Sequence, residues 1–190
     1  MKNLVLIIAI AILPIMSFGQ SIFDKFEDMD GVTSIVVNQR MFKMLSSIEV
    51  NLEDKEDQEY FDLIKKITSL KVLTTGDPKI SAEMKAKVNS YIKSSQLEEL
   101  MRIKDGQQSI KFYIREGKDE NHVKELLMFI TGLKELTKGK DFSINGKKRE
   151  IETVLLSLTG DIDLTQISKL TSKMNLPGGK HLEKAGDKKN

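Results

Sequence analysis

The stretch LMRIKDGQQSIKFYIREG, residues 100–117, carries the clearest structural signal in the sequence. Apolar and polar residues alternate on both sides of Asp105-Gly106, a dipeptide that favours a tight turn between two strands. A hairpin folded at this turn places Met101 and Ile103 on one side of a sheet. Three apolar residues of the second strand share that side: Ile110, Phe112 and Ile114. The pattern therefore predicts an antiparallel hairpin with one apolar face.

Two further strands are predicted after the hairpin. HVKELLMFITG, residues 122–132, is apolar at consecutive positions, as in a central strand covered on both faces. IETVLLSL, residues 151–158, has the composition of another strand. The residues between them, 133–150, are charged and punctuated by glycine, which predicts a long loop or an excursion of the sheet.

The first part of the chain predicts two strands with helices between them. GVTSIVV at 31–37 and SLKVLTT at 69–75 are the predicted strands. Two sets of apolar residues at helical spacing lie between these strands. They are Met41, Met44, Leu45 and Ile48, and then Tyr60, Leu63, Ile64 and Ile67. We expect two short helices or one bent helix, with the acidic run at 53–59 as a solvated junction and a weak cation site as its alternative.

A further helix is predicted to begin at Asp77-Pro78. The Asp77 carboxylate can accept hydrogen bonds from free backbone N–H groups, and proline at the first helical position loses no hydrogen bond. The apolar stripe of this helix consists of Ile80, Met84, Val88 and Tyr91. We expect that stripe to pack against the sheet.

The stretch LSLTGDIDLTQISKL, residues 156–170, contains two aspartates that have either a structural or a ligand-binding role. We interpret Gly160-Asp161 as a turn from strand to helix. Asp163 and Gln166 have the spacing of a capping box, in which each side chain bonds the backbone of the other. The predicted helix buries Leu164, Ile167, Leu170 and Met174. The alternative is a functional carboxylate pair.

The order of these elements predicts the α+β class, with a single domain built on a largely antiparallel or mixed sheet and helices packed against it. We predict that this domain spans residues 20–176. The tail, 177–190, has no apolar pattern and is predicted to be disordered. The methionines of the domain are predicted to fill gaps in the core, with a methionine-lined groove for a partner as the alternative.

The first 19 residues are predicted to be a signal peptide, cut between Gly19 and Gln20. A lysine precedes an apolar run that ends in small residues, and this run is shorter than the roughly 20 residues needed to cross a bilayer. The chain contains no cysteine, so neither a lipid anchor on cysteine nor a disulfide is available. We therefore expect a periplasmic or secreted protein, without a stable membrane anchor after cleavage, that depends on its own core.

The composition argues against nucleic acid as a partner. Removal of Lys2 with the signal peptide lowers the basic count from 30 to 29, against 28 acids. A net charge so close to zero provides no bulk field for a polyanion.

No catalytic, cofactor-binding or metal-binding residue is predicted. The chain has two histidines, His122 at a strand start and His181 in the tail, too few for a zinc site. Neither aspartate cluster fits a calcium-binding loop. In one alignment Val37 occupies a position that requires a carboxylate, and in the other Gln166 occupies a position that requires glycine. No glycine-rich phosphate loop occurs. A serine-histidine-aspartate arrangement would have to use His122, which lacks a nucleophile motif nearby.

Three stretches of the sequence resemble exported proteins of the domain-of-unknown-function family 4252, from Gram-negative envelopes. They are FDKFEDMDGVTSIVVNQRMFKML at 23–45, the hairpin and strand at 97–132, and LSLTGDIDLTQISKL at 156–170. The resemblance implies an exported domain of unassigned activity. Many similar proteins carry a lipobox cysteine, which is absent here, and the segment 133–150 looks longer than the usual connection.

Three function hypotheses follow. The first is a non-enzymatic envelope protein that binds another envelope protein or a peptide through a face or an edge of its sheet. The second is a hydrolase or lyase whose carboxylates and lysines are gathered by the fold. The third is a carrier of a small apolar ligand, held in a cavity between the helices and the sheet.

Overall fold

The computed structural model describes residues 21–47, 55–137, 143–144, 147–148 and 150–167. The predicted signal peptide, the predicted tail, most of 138–149, and the positions Ile48, Leu170 and Met174 lie outside the described residues. Within the described part, no helix is long and apolar enough to cross a membrane.

The centre of the structure is a six-stranded sheet in which every neighbouring pair is antiparallel. Its strands are β1 (Val32–Asn38), β2 (Ile67–Thr75), β3 (Glu98–Asp105), β4 (Gln108–Glu116), β5 (His122–Thr131) and β8 (Thr153–Asp163). Their order is β1-β2-β8-β5-β4-β3. A separate small pair joins β6 (Ser143–Ile144) to β7 (Lys147–Lys148).

Helices cover both faces of the sheet. They are a 3-10 helix (Ser21–Phe26), α1 (Gln39–Ser46), α2 (Lys55–Lys66), α3 (Pro78–Ser94) and α4 (Lys134–Thr137), and residues 164–167 after β8 are also helical. On one face, which we call the α3 face, Tyr91 of α3 and Phe23 of the 3-10 helix pack with Leu127 of β5. On the other, the α1–α2 face, Phe42 and Leu63 share a cluster with Leu126. The prediction of an α+β fold with an antiparallel sheet is therefore confirmed.

Several predicted elements are also confirmed. The hairpin of β3 and β4 pairs Met101 with Phe112 and Ile103 with Ile110, and all four belong to the α1–α2 face. The strand that contains the predicted central run, β5, lies between β8 and β4. Asp77 caps α3, because its carboxylate accepts from the N–H groups of Lys79 at 2.7 Å and Ile80 at 3.2 Å.

The predicted buried stripe of the first helix is wrong in its phase. Met41 and Met44 are 42% and 55% exposed, whereas Phe42 is 7% exposed and packs in the core. Helical spacing defines which residues share a face, but it does not decide which of two faces turns inward. Burial of the Phe42 ring removes more apolar surface from water than burial of a methionine would, so the face that carries Phe42 turns inward. Ile67, predicted to continue the second helix, is instead the first residue of β2.

The prediction of a turn at Gly160-Asp161 is also wrong, because β8 continues through both residues to Asp163. Gly160 has a φ of +149°, and a Cβ at this position would lie 2.3 Å from the carbonyl oxygen of Lys66. The glycine is therefore required where the start of β2 approaches β8 closely. The segment 133–150, predicted as a loop or sheet excursion, contributes α4 and the separate β6–β7 pair.

Candidate functional site

Asp163 lies where β8 passes into the helical residues 164–167, and it acts as the cap of that helix. Its Oδ1 accepts from the backbone N–H of Thr165 at 2.9 Å and from the Thr165 hydroxyl at 2.6 Å. Burial alone would raise the pKa of Asp163, but the hydrogen bonds from Thr165 and Gln166 hold it below its ordinary value. The reciprocal half of the predicted capping box is missing, because the buried Oε1 of Gln166 has no hydrogen-bond partner.

Asp161 has a different role from Asp163. Its Oδ2 accepts from Lys118 Nζ at 2.8 Å, and this bond lowers the pKa of Asp161 and raises that of Lys118. Both side chains are about half exposed. The two aspartates are thus bonded to different partners, one in a helix cap and the other in a surface ion pair. Nothing in these contacts assigns them a ligand.

His122 is the first residue of β5, at the start of the central strand, as predicted. Its Nδ1 lies 2.6 Å from Asp119 Oδ1, and its side chain is 17% exposed. Across the described ranges of the chain, no group of three or more histidine, aspartate or glutamate side chains comes close enough to hold a metal ion.

A buried carboxyl that the sequence analysis missed lies on the α3 face. Glu125 of β5 is 1% exposed and accepts from the Tyr91 hydroxyl at 2.8 and 3.0 Å and from Ser157 Oγ at 3.3 Å. Arg115 Nη2 lies 3.1 Å from Glu125 Oε2. Burial raises the pKa of Glu125, while Tyr91, Arg115 and Ser157 oppose that rise. The pKa of Tyr91 is raised by burial and by the adjacent carboxylate.

A second buried charge on the same sheet face belongs to Lys71 of β2, whose side chain is 7% exposed. Its Nζ lies 2.6 Å from Asp24 and also forms an ion pair with Glu27. Lys71 is the cross-strand neighbour of Ser157, so a polar row crosses the sheet from the N-terminal segment to Glu125. Lys71 is the one charged residue of β2, whereas Glu125 follows Lys124 at the start of the apolar run of β5.

This polar row has little capacity for catalysis. Over the whole residue, Glu125, Ser157 and Lys71 are each at most 5% exposed, so a substrate has no direct access to them. The Ser157 and Tyr91 hydroxyls both donate to Glu125. Buried hydrogen-bond networks fix the packing of one element on another, although the buried Nε of Arg115 has no hydrogen-bond partner here. Here the network joins α3 to β5 and β8.

The two ends of the sheet differ strongly in their side chains. The strand at one end, β3, has five charged residues among its eight: Glu98, Glu99, Arg102, Lys104 and Asp105. The strand at the other end, β1, has the sequence VTSIVVN and no charge. Ile35 and Val36 of β1 are 55% and 48% exposed. Charged residues normally protect a sheet edge from pairing with other chains, and β1 lacks that protection.

Exposed apolar residues continue from β1 into the next helix. Met41 and Met44 of α1 are exposed, and α1 packs on the same face of the sheet as Val37 through Phe42. Ile35 lies two residues before Val37 and therefore points to the same face. The surface formed by β1 together with Met41 and Met44, which we call the β1 edge, is the candidate functional site.

Comparison with known proteins supports the family assignment alone. Neither the curated proteins nor the solved structures contain a match to this chain. The family model described as "Domain of unknown function (DUF4252)" matches residues 26–170, a range that runs from the 3-10 helix through β8 and includes both the β1 edge and the Glu125 network. The chain belongs to the DUF4252 family.

Proposed function

We propose that this chain is a non-enzymatic module of the cell envelope that binds another polypeptide as an added strand along β1. The observation that carries the proposal is the contrast between the two sheet ends, one charged and one uncharged. An added strand makes main-chain hydrogen bonds to the edge, and its alternate side chains contact the two faces.

The backbone of β1 is suited to this binding mode. All seven residues of the strand pair with β2, from Val32 opposite Thr75 to Asn38 opposite Ser69. In an antiparallel strand, alternate N–H and C=O groups point away from that partner. Within the described part of the chain, no strand lies beyond β1. Those outward groups are therefore arranged to receive a strand of about the same length.

The side chains of β1 favour an apolar, uncharged partner. Ile35 and Val36 point to opposite faces of the sheet, and both are about half exposed. A partner strand would remove apolar surface from water on both faces, at roughly 25 cal/mol per Å². The exposed Met41 and Met44 supply adaptable side chains beside the strand on one face.

The predicted signal peptide supports an envelope partner. Export past Gly19 would place the β1 edge in the periplasm or outside the cell, where other exported polypeptides are available. The first described residues, beginning at Ser21, form the 3-10 helix, whose Phe23 and Phe26 are 1% and 0% exposed. Cleavage after Gly19 would leave both of these core phenylalanines in the mature chain.

Site-specific photocrosslinking in the producing cell tests the proposal. A photoreactive amino acid replaces Ile35 in one variant and Leu100, which is 40% exposed on β3, in a matched control. We expect a discrete covalent adduct with a polypeptide from position 35, and none from position 100. Equal yields at the two positions, or no adduct at position 35, would show that β1 is not the binding edge.

A further inference from the structure

We infer that the strand added to β1 is β1 of a second copy of this chain, so that two domains form one continuous sheet across a two-fold axis. This inference rests on the proposed function, because it names the partner of the same edge. A two-fold interface uses the same patch on both subunits, so the patch must be complementary to itself. Two properties of the β1 edge satisfy this condition.

The first property is the symmetry of the strand. Ile35 is the centre of the seven residues Val32–Asn38. In an antiparallel pair of two β1 strands centred there, Ile35 lies opposite Ile35 of the other copy, and Ser34 lies opposite Val36. Cross-strand neighbours of this kind have Cβ atoms about 4.5–5.5 Å apart. Because the strand has no charged residue, no like charges face each other in this ladder.

The second property is the arrangement of charge at the two ends of β1. Asp28 and Asp30 precede the strand, whereas Arg40 in the first turn and Lys43 in the last turn of α1 follow it, and all four are exposed. No salt bridge in the described ranges uses any of them. In the antiparallel pair, the beginning of one β1 adjoins the end of the other. The acids of each copy therefore face the bases of its partner, twice in the dimer.

The helix that follows β1 adds apolar surface to the same interface. Ile35 and α1 lie on the α1–α2 face, and Met41 and Met44 are exposed there. The two-fold axis through Ile35 brings the two α1 helices to the same face of the joined sheet. In this dimer both β1 edges are paired, and the charged β3 strands lie at the two ends of the joined sheet. The assembly therefore stops at two copies.

Cysteine crosslinking of the purified mature chain tests the register. The chain has no cysteine, so each introduced thiol has only its counterpart to react with. Under mild oxidation, we expect the Ile35→Cys variant to form a disulfide-linked dimer and the Leu100→Cys control to form no disulfide link between copies. A mixture of Ser34→Cys and Val36→Cys should crosslink better than either alone. No dimer from Ile35→Cys, or equal crosslinking from Leu100→Cys, would overturn the inference.

Charge exchange tests the same interface without a change in β1. Two double variants are measured by sedimentation: Arg40→Glu/Lys43→Glu and Asp28→Lys/Asp30→Lys. Each variant alone should dimerise at least about tenfold more weakly than the parent. An equimolar mixture of the two variants should recover dimer formation. Failure of the mixture to recover would contradict the charge pairing.

If the purified chain is monomeric while position 35 still crosslinks to a different polypeptide in the cell, self-pairing is wrong and the proposed function stands. If the purified chain is monomeric and position 35 also gives no adduct in the cell, both self-pairing and the proposed function are wrong.

Discussion

The Tyr91 hydroxyl of α3 lies within hydrogen-bonding distance of both carboxylate oxygens of Glu125 in β5, at 2.8 and 3.0 Å. The two residues are 2% and 1% exposed, and the Tyr91 ring also packs edge-on against Phe23 at a centroid distance of 5.2 Å. A single side chain thus joins the helix, the 3-10 helix and the central strand. Ser157 and Arg115 complete the bonding of the carboxylate.

Removal of the tyrosine hydroxyl should destabilise the domain. Tyr91→Phe keeps the ring packing but takes away a donor from a buried carboxyl, which costs about 1–3 kcal/mol. Denaturant unfolding measures the loss. In a double-mutant cycle with Glu125→Ala, which removes the acceptor, the two losses should be less than additive because the residues share one bond. Strictly additive losses would show that the bond contributes nothing.

The buried carboxyl should also give a characteristic pH dependence. Because burial raises the pKa of Glu125 in the folded state above the ordinary 4.5, the native protein takes up a proton before the unfolded chain does as the pH falls. Stability relative to Glu125→Gln should therefore increase as the pH decreases through the folded-state pKa, and should become constant below about 4.5. Unfolding of both proteins across this range provides the test. A difference that is constant or that decreases toward acid would refute the raised pKa.

Asp163 and Asp161 provide a matched pair of carboxylates. Asp163→Ala removes a helix cap and should cost about 1 kcal/mol, whereas Asp163→Asn and Asp163→Ser retain an acceptor and should cost much less. Asp161→Ala breaks only an exposed ion pair with Lys118 and should change stability by less than about 1 kcal/mol. If all three Asp163 variants unfold like the parent, the residue is not a cap.

Substitution of two glycines by alanine separates the cost of a steric clash from the cost of backbone strain. A Cβ on Gly160 would lie 2.3 Å from the backbone oxygen of Lys66, whereas a Cβ on Gly106 would meet nothing within 4 Å. Gly106→Ala should therefore cost only the left-handed strain of its φ of +55°, about 1–2 kcal/mol. Gly160→Ala should cost clearly more, because the start of β2 must move. Thermal unfolding that ranks the two variants in the opposite order would contradict this packing.

Local sequence signals predicted much of the fold. The Asp77-Pro78 start of α3, the β3–β4 hairpin and the β5 strand each depend on residues close together in the sequence, and each is present. The phase of α1 could not be predicted in this way, because it depends on whether Phe42 or Met41 gains more from contact with a distant strand. The extension of β8 through Gly160 depends on its approach to Lys66, which no local pattern records.

The Glu125 network and the β1 edge were less predictable than the fold. Glu125 lies inside an apolar run and its main partner, Tyr91, is 34 positions away in sequence. The run predicted burial on both faces correctly, but it contained no sign of which group would satisfy the carboxyl. The β1 edge depends on strand order, because VTSIVVN is an ordinary strand sequence unless it lies at the end of a sheet.

Hydrogen exchange along β1 tests the central claim, that this edge receives another strand, most directly. The protein is purified from the cells that produce it, and the Ile35→Lys variant is measured beside it, with the other terminal strand, β3, as the internal reference. We expect the outward amides of β1 to exchange at least about tenfold more slowly than those of β3, a protection of about 1.4 kcal/mol, and Ile35→Lys to abolish the difference. Equally fast exchange at both ends of the sheet in the unsubstituted protein would contradict the claim.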